Sequence, residues 1–354
     1  MKILTLKAKN FMIFEDIDLN FSPNVNLICG ENSTGKTAII KLLYASLRGV
    51  SQSQSGKKVT TKDNLEAGIV QKIQGVFCPD KDSVGRLVNR VQGSNKAQIA
   101  ISLDDDKSLE FAFSNRHSSH VEITNALFDV AKVETVYIPP KEIISATENF
   151  GSLYADYHIA FEEMYYDLAR LLEKPLRKGP NTKEQNAVLK SFEEIVNGSI
   201  IQKERKFYLK EKGSGEFEMG LVSEGYRKIA TIIYLILSGS LSKNSILFWD
   251  EPETNMNPKM IRPMVEALTE LAKMGVQVFV TTHDYFVQQC FNLNAVYDKD
   301  KNKHISYNFI SLYKNDKGIV QAESGSELSD LVHNSIMEEF DNLYDREQGL
   351  IYGN

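Results

Sequence analysis

The sequence predicts an α/β fold with a mixed central sheet, an N-terminal antiparallel β-subdomain and a short helical insert. Three observations carry that expectation. A glycine-bearing turn, GENSTGKT (residues 30–37), lies between the apolar run VNLICG and a helical pattern. Strand and helix patterns alternate after Ser223, which implies a parallel sheet. The apolar strand SILFW (245–249) runs straight into two adjacent carboxylates, Asp250 and Glu251, which are costly to desolvate unless something pairs with them.

In chain order, KILTLKAKNF, DIDLNF and VNLICG read as strands, and TGKTAIIKLLYASL as the helix after the turn. Residues 51–64, SQSQSGKKVTTKDN, are polar and without period, so a loop is expected there. AQIAISL and LEFAFS alternate around DDDK as a hairpin, and VETVYIPP is a further strand stopped by two prolines. From about Tyr154 to Glu194 the pattern is helical, and KFYLK and EFEMG flank GSG as a second hairpin. A long apolar helix follows Ser223, then strand NSILFW, helix PKMIRPMVEALTELAKM, strand VQVFVTT and a helix from Asp284. The expected division is an N-terminal lobe at 1–150, a helical insert at 151–215, a C-terminal lobe at 216–300, and a hairpin with an acidic tail at 301–354.

Composition narrows the function classes. In 354 residues no apolar run approaches the roughly 18 needed to span a bilayer, so no membrane role is expected. The alternating N-terminus reads as a strand and not as a signal peptide. Cys29, Cys78 and Cys290 are scattered, which fits a reducing cytoplasm. His117 and His120 (HSSH) lack zinc spacing and read as part of a polar hairpin. The net charge of −6 is uneven: the stretch from Gln321 holds eight acids against one base, and residues 48–97 hold nine bases against four acids. Lys57, Lys58, Lys72, Arg86 and Arg90, with Arg177, Lys178, Arg205 and Lys206, either line a surface for a DNA or RNA backbone or face solvent.

The turn carries the chemistry. GENSTGKT fits G-x-x-x-x-G-K-[ST] in a strand-to-helix context, the pattern of a P-loop NTPase. Gly30 and Gly35 let the backbone curl so that the N–H groups of Gly30, Glu31, Asn32, Ser33, Thr34 and Gly35 face phosphate oxygens. Lys36 then reaches the β- and γ-phosphates, and the Thr37 hydroxyl is placed as a Mg²⁺ ligand. Asp250 holds the same ion, and Glu251, one residue on, is the general base that polarises a water. His283, after the strand VQVFVTT, lies at the same sheet edge and is assigned to the γ-phosphate. Phe11 and Phe14 are either adenine-stacking or core. A GTPase would carry Asn-Lys-x-Asp, and the Asn-Lys pairs at 95–96 and 302–303 lack the Asp.

Taken together, these residues resemble the ATP-binding-cassette ATPase superfamily. GENSTGKT matches Walker A, ILFWDEPE matches Walker B with the catalytic glutamate, TNMNP the D-loop and TTHD the switch histidine. LVSEGYRK occupies the place of the signature motif, and the resemblance assigns Ser223, Glu224 and Gly225 to the nucleotide of an opposite subunit. Glu224 and Tyr226 replace residues common in transporters, and no Q-loop glutamine is placed; Gln71 and Gln74 lie in a helical pattern and Lys141 follows VYIPP. Within the superfamily the N-terminal run, with IPPKE, EGYRK and WDEPETNMNPK, is similar to the soluble RecF, SMC and OLD-type ATPases, AAA-type enzymes of bacteria. That resemblance implies a Mg²⁺-dependent ATPase that forms an ATP-bound homodimer and controls an effector encoded nearby, a nuclease or toxin, in a phage-defence or toxin–antitoxin operon. A DNA-repair or chromosome-associated clamp and a transporter nucleotide-binding subunit are the other readings.

Overall fold

The chain organises around one central sheet that carries the turn on one of its inner strands. In a computed structural model, which describes residues 1–54, 61–90, 93–116, 119–127, 134–157, 160–298 and 301–353, three sheets form. The first is antiparallel: β1 (Ile3–Phe11), β2 (Phe14–Asn20), β4 (Lys96–Leu103), β5 (Ser108–Ser114) and β6 (Glu122–Leu127), in the order β2-β1-β4-β5-β6. Its strands alternate buried and exposed residues, as one packed face and one wet face require.

The central sheet contains β3 (Val25–Gly30), β7 (Thr135–Ile138), β11 (Ile246–Asp250), β12 (Gln277–Thr281), β13 (Tyr307–Lys314) and β14 (Val320–Gly325), in the order β14-β13-β3-β12-β11-β7. Every pair is parallel except β13 with β14. All residues of β3, β7, β11 and β12 are buried, which is why they read as unbroken apolar runs. Alternate residues feed two cores. Leu27, Leu247, Trp249, Val278 and Val280 face one, and Ile28, Phe248, Phe279 and Ile310 face the other. Each such side chain contributes about 1.5–3 kcal/mol of burial.

Helices cover both faces: α1 (Lys36–Gln54) and α2 (Lys62–Phe77) lie on one side. On the other lie α4 (Glu163–Leu172), α5 (Lys183–Ile195), α6 (Glu224–Leu237), α7 (Pro258–Lys273) and α8 (Tyr285–Val296), with α3 (Phe150–Tyr157) leading into α4. A third sheet, β8 (Gly198–Lys203), β9 (Lys206–Glu211) and β10 (Gly215–Glu218), follows α5. The chain then closes with α9 (Ser335–Tyr352), in which no residue is buried.

Two expectations change. The loop foreseen at 51–64 is shorter, because α1 runs on to Gln54 and α2 begins at Lys62, where Thr61 caps it by accepting from the Asn64 N–H. The C-terminal hairpin is part of the central sheet, since β13 pairs with β3 from Tyr307↔Val25 to Leu312↔Gly30. Its apolar NFISLY run buries against the strand that carries the turn.

Candidate active site

The turn after β3 is held by two close backbone approaches. Gly30 has φ +139° and Gly35 φ +96°, where side chains are rarely tolerated. A Cβ on Gly30 would stand 2.2 Å from the Leu312 carbonyl oxygen, and one on Gly35 would stand 2.3 Å from the Phe14 ring. Phe11 and Phe14 are thus core side chains, at 0% and 1% exposure, and Phe14 is the floor beneath Gly35. Thr34 donates to the Glu31 carbonyl at 2.9 Å and tightens the loop. The buried Lys36 ammonium donates to the Gly30 carbonyl at 2.8 Å and the Glu31 carbonyl at 2.9 Å. Burial pulls its pKa below the ordinary lysine range, against the opposing pull of Glu251, Asp250 and Glu253.

Asp250, at the end of β11, is 2% exposed. Its carboxylate is met by three hydroxyls: Thr37 at 3.1 Å and Thr281 at 2.5 Å on Oδ1, and Tyr137 at 2.9 Å on Oδ2. These come from α1, β12 and β7, so the carboxylate joins the helix after the turn to the neighbours of its own strand. Burial pushes this carboxyl above the usual range, and the bonds from Thr281, Tyr137 and Thr37 pull it back. A raised folded pKa means that the native state binds the proton more tightly than the unfolded one. The penalty therefore appears as pH rises above the unfolded value and is complete only above the raised folded one. Asp250→Asn removes the charge and keeps an acceptor. It is expected to raise the melting temperature at pH 7 by on the order of 2 °C, a gain that shrinks toward acid pH. Scanning calorimetry at two pH values checks this, and an unchanged or lower melting temperature at pH 7 would count against it.

Glu251 follows in the left-handed region at φ +47°, its N–H held by the Thr281 carbonyl at 3.1 Å and hydroxyl at 3.2 Å. That conformation turns its partly exposed side chain toward His283, whose Nδ1 lies 3.3 Å from Oε1. Glu253 sits behind them, buried; its Oε1 accepts from the Thr282 hydroxyl at 2.6 Å and the His283 N–H at 3.3 Å. The sequence reading assigns His283 to a phosphate; within this structure its ring faces Glu251, the base candidate.

The signature residues stand apart. Ser223 is the exposed N-cap of α6 with no side-chain capping bond, so its hydroxyl is uncommitted to its own helix. Glu224 accepts from Asn255 at 2.9 Å in the segment after β11, and Gly225 is buried against Met256 and Met260. No hydrogen bond or ion pair among the described residues joins Ser223, Glu224 or Gly225 to the turn at 30–37 of the same chain. Four contributors escaped the sequence reading: Tyr137, Thr281, Glu253 and Lys228. The strand signal VETVYIPP was visible, but not that it lies beside β11.

The basic residues are corrected in part. Lys72 is 1% exposed and pairs with Glu163 at 2.6 Å and Asp167 at 2.8 Å, so it faces no nucleic acid. Arg177 donates to Gln185 and the Pro180 carbonyl, and Lys206 pairs with Glu148 at 3.5 Å. Lys57, Lys58 and His117 lie outside the described residues. No helix among the described residues is long and apolar enough to cross a membrane.

With this geometry in place, similarity to known proteins is specific. Residues 1–168 match the family model "AAA ATPase domain", and residues 145–287 match "AAA domain, putative AbiEii toxin, Type IV TA system". The DNA replication and repair protein RecF of Chlamydia abortus is 45% identical over 51 residues, 14% of each chain. RecF of Staphylococcus haemolyticus is 34% identical over 77 residues, 22% of this chain and 20% of that one. The match thus spans about a fifth or less of these relatives' length. An SMC head bound to the C-winged helix domain of ScpA superposes with a TM-score of 0.56 at 13% identity, over 93% of this chain and 99% of that one. An SMC head with extended coiled coil from Pyrococcus furiosus, bound to the C-terminal domain of ScpA, gives 0.52 at 11% identity, over 98% and 99%. The fold is that of the ABC-type P-loop ATPases. Within that fold class the two AAA-domain matches, the short RecF matches and the SMC-head likeness together support a RecF/SMC/OLD-like AAA-type protein.

Proposed function

We propose that this protein binds ATP with Mg²⁺ at the turn 30–37, hydrolyses it, and uses the bound triphosphate to join two copies head to tail. The observation that carries this reading is the 3.1 Å contact between Thr37 and Asp250, a hydroxyl and a carboxylate oxygen at the mouth of the phosphate loop. Hard oxygen donors of this kind suit Mg²⁺, and Thr37 and Asp250 are the residues that would hold it. When bound, the ion neutralises charge on the β- and γ-phosphate oxygens. The chain's own residues supply the rest. Loop N–H groups and Lys36 hold the phosphates, Glu251 accepts a proton from the attacking water, and His283 orients Glu251.

Ser223 at the start of α6 offers a helix N-terminus to the γ-phosphate of a second copy. Moving from mostly open to mostly closed takes about 5.5 kcal/mol. Two nucleotides, each gaining one or two charged hydrogen bonds worth about 1.5–3 kcal/mol, supply it. ATP therefore acts as a clamp and hydrolysis as its release, and the output is control of a partner effector, a nuclease or toxin. Support for a partner comes from α9, which exposes Phe340, Leu343, Tyr344, Leu350 and Ile351 along one stripe. Five acids and one base flank that stripe, so the partner surface is apolar with a basic rim. Stacking of Phe340 on Tyr285 at 4.2 Å ties α9 to the helix that begins beside His283. A clamp acting on DNA is the second reading, favoured by the likeness to RecF.

Titration calorimetry with ATP, with and without Mg²⁺, followed by light scattering, tests the reading. The expected result is Mg²⁺-dependent uptake of one ATP per chain and a doubling of mass. No uptake would end the nucleotide reading, and uptake without pairing would end the clamp.

A further inference from the structure

Lys228 lies five residues into the helix that starts at Ser223, and it is 0% exposed. A buried ammonium normally has a carboxylate beside it. Here none lies within ion-pair distance among the described residues; three backbone carbonyls converge on Nζ instead. Thr254 accepts at 2.7 Å, Glu251 at 3.4 Å and Pro252 at 3.5 Å. Burial lowers the pKa of this lysine to about 8, with Glu224, Glu253, Glu251 and Glu142 opposing. Its helix neighbours Ile229, Ala230, Ile232 and Ile233 are buried apolar residues, so a methionine would fill the same space without a buried charge. The fold keeps a costly charge where an apolar side chain would serve packing alone.

The carbonyls it holds belong to the turn that aims the base. Glu251 is in the left-handed region, and fixing its carbonyl fixes the peptide plane that directs its side chain toward His283. Two residues on, Glu253 holds the backbone of His283. Lys228 therefore ties the helix carrying Ser223 directly to the backbone of the turn carrying Glu251, beside the Glu224–Asn255 side-chain contact. We propose that Lys228 is a positioning residue that transmits engagement of the second copy's nucleotide at the start of α6 to the geometry of Glu251. The role rests on the ATPase reading above. A displacement of about 1 Å at a catalytic group can cost about 100-fold in rate, so small movements of α6 suffice to switch hydrolysis on and off.

The test compares Lys228→Met and Lys228→Arg with the wild type for ATP affinity, kcat, KM and melting temperature. Lys228→Met should bind ATP at the chain's own turn with unchanged affinity and melt no lower than wild type. Its kcat should fall about 100-fold, and its residual rate should no longer rise with protein concentration, because pairing no longer reaches the base. Lys228→Arg, which restores a cation beneath the carbonyls, should recover at least a tenth of the lost rate. Should Lys228→Met not fold, Lys228→Gln, which keeps an amide donor for Thr254, carries the same expectation. A folded Met or Gln variant with wild-type kcat and wild-type concentration dependence overturns the proposal. A wild-type protein that binds no ATP fails the underlying reading instead, and takes this role with it.

Discussion

Glu251→Gln is expected to lower ATP turnover by about 10²–10⁴-fold, the scale of a lost general base, with ATP affinity unchanged. The substitution is nearly isosteric, and a glutamine oxygen can still meet His283, 3.3 Å from Glu251 in the wild type. What disappears is the ability to take a proton from water. Neither Thr37 nor Asp250 is touched by the change, since their contact lies on the other side of β11's end, so phosphate and ion remain held. The γ-phosphate then persists, and dimers should accumulate in ATP and dissolve when ATP is removed. Single-turnover kinetics and analytical ultracentrifugation read the two effects separately. Preserved turnover would place the base elsewhere; slow turnover with persistent monomers would keep the base and remove the clamp.

What the sequence revealed of this site is what is local. The turn is spelled out by eight consecutive residues because its glycines must take φ values near +139° and +96° at fixed places in it. Asp250 was legible because a carboxylate ending an apolar strand has few explanations. The nature of its partners was not. A cation was the expected answer to the buried charge, and the fold supplies three hydroxyls as well, from positions 37, 137 and 281. Those positions meet only because β11 lies between β12 and β7, and strand order leaves no mark on a single strand's pattern. Lys72 shows the same limit. Its surroundings in sequence are those of a surface lysine, yet acids 91 and 95 residues away enclose it. Lys228 lies in an apolar helix after Ser223, and nothing in that run marks the backbone carbonyls of residues 251, 252 and 254 that meet its ammonium.

Lys36→Met is expected to weaken ATP binding by about two to four decades. The lysine is placed to reach two phosphate oxygens. Charge-assisted hydrogen bonds are worth about 1.5–3 kcal/mol each, and roughly 1.4 kcal/mol is one decade. The loss does not stop there, because Lys36 is the cation on which Asp250, Glu251 and Glu253 all act. Without it a triphosphate would enter a site with three carboxylates and no opposing side-chain charge from the turn. The folded state should not suffer: the ammonium is 6% exposed and costly to bury, and methionine fills a similar volume beside the same carbonyls. Affinity measured by fluorescent-nucleotide titration should therefore fall while the melting temperature holds or rises. Where Glu251→Gln keeps the nucleotide and loses the rate, this variant loses the nucleotide first. An affinity within tenfold of wild type would mean that the triphosphate is held somewhere other than the turn between β3 and α1.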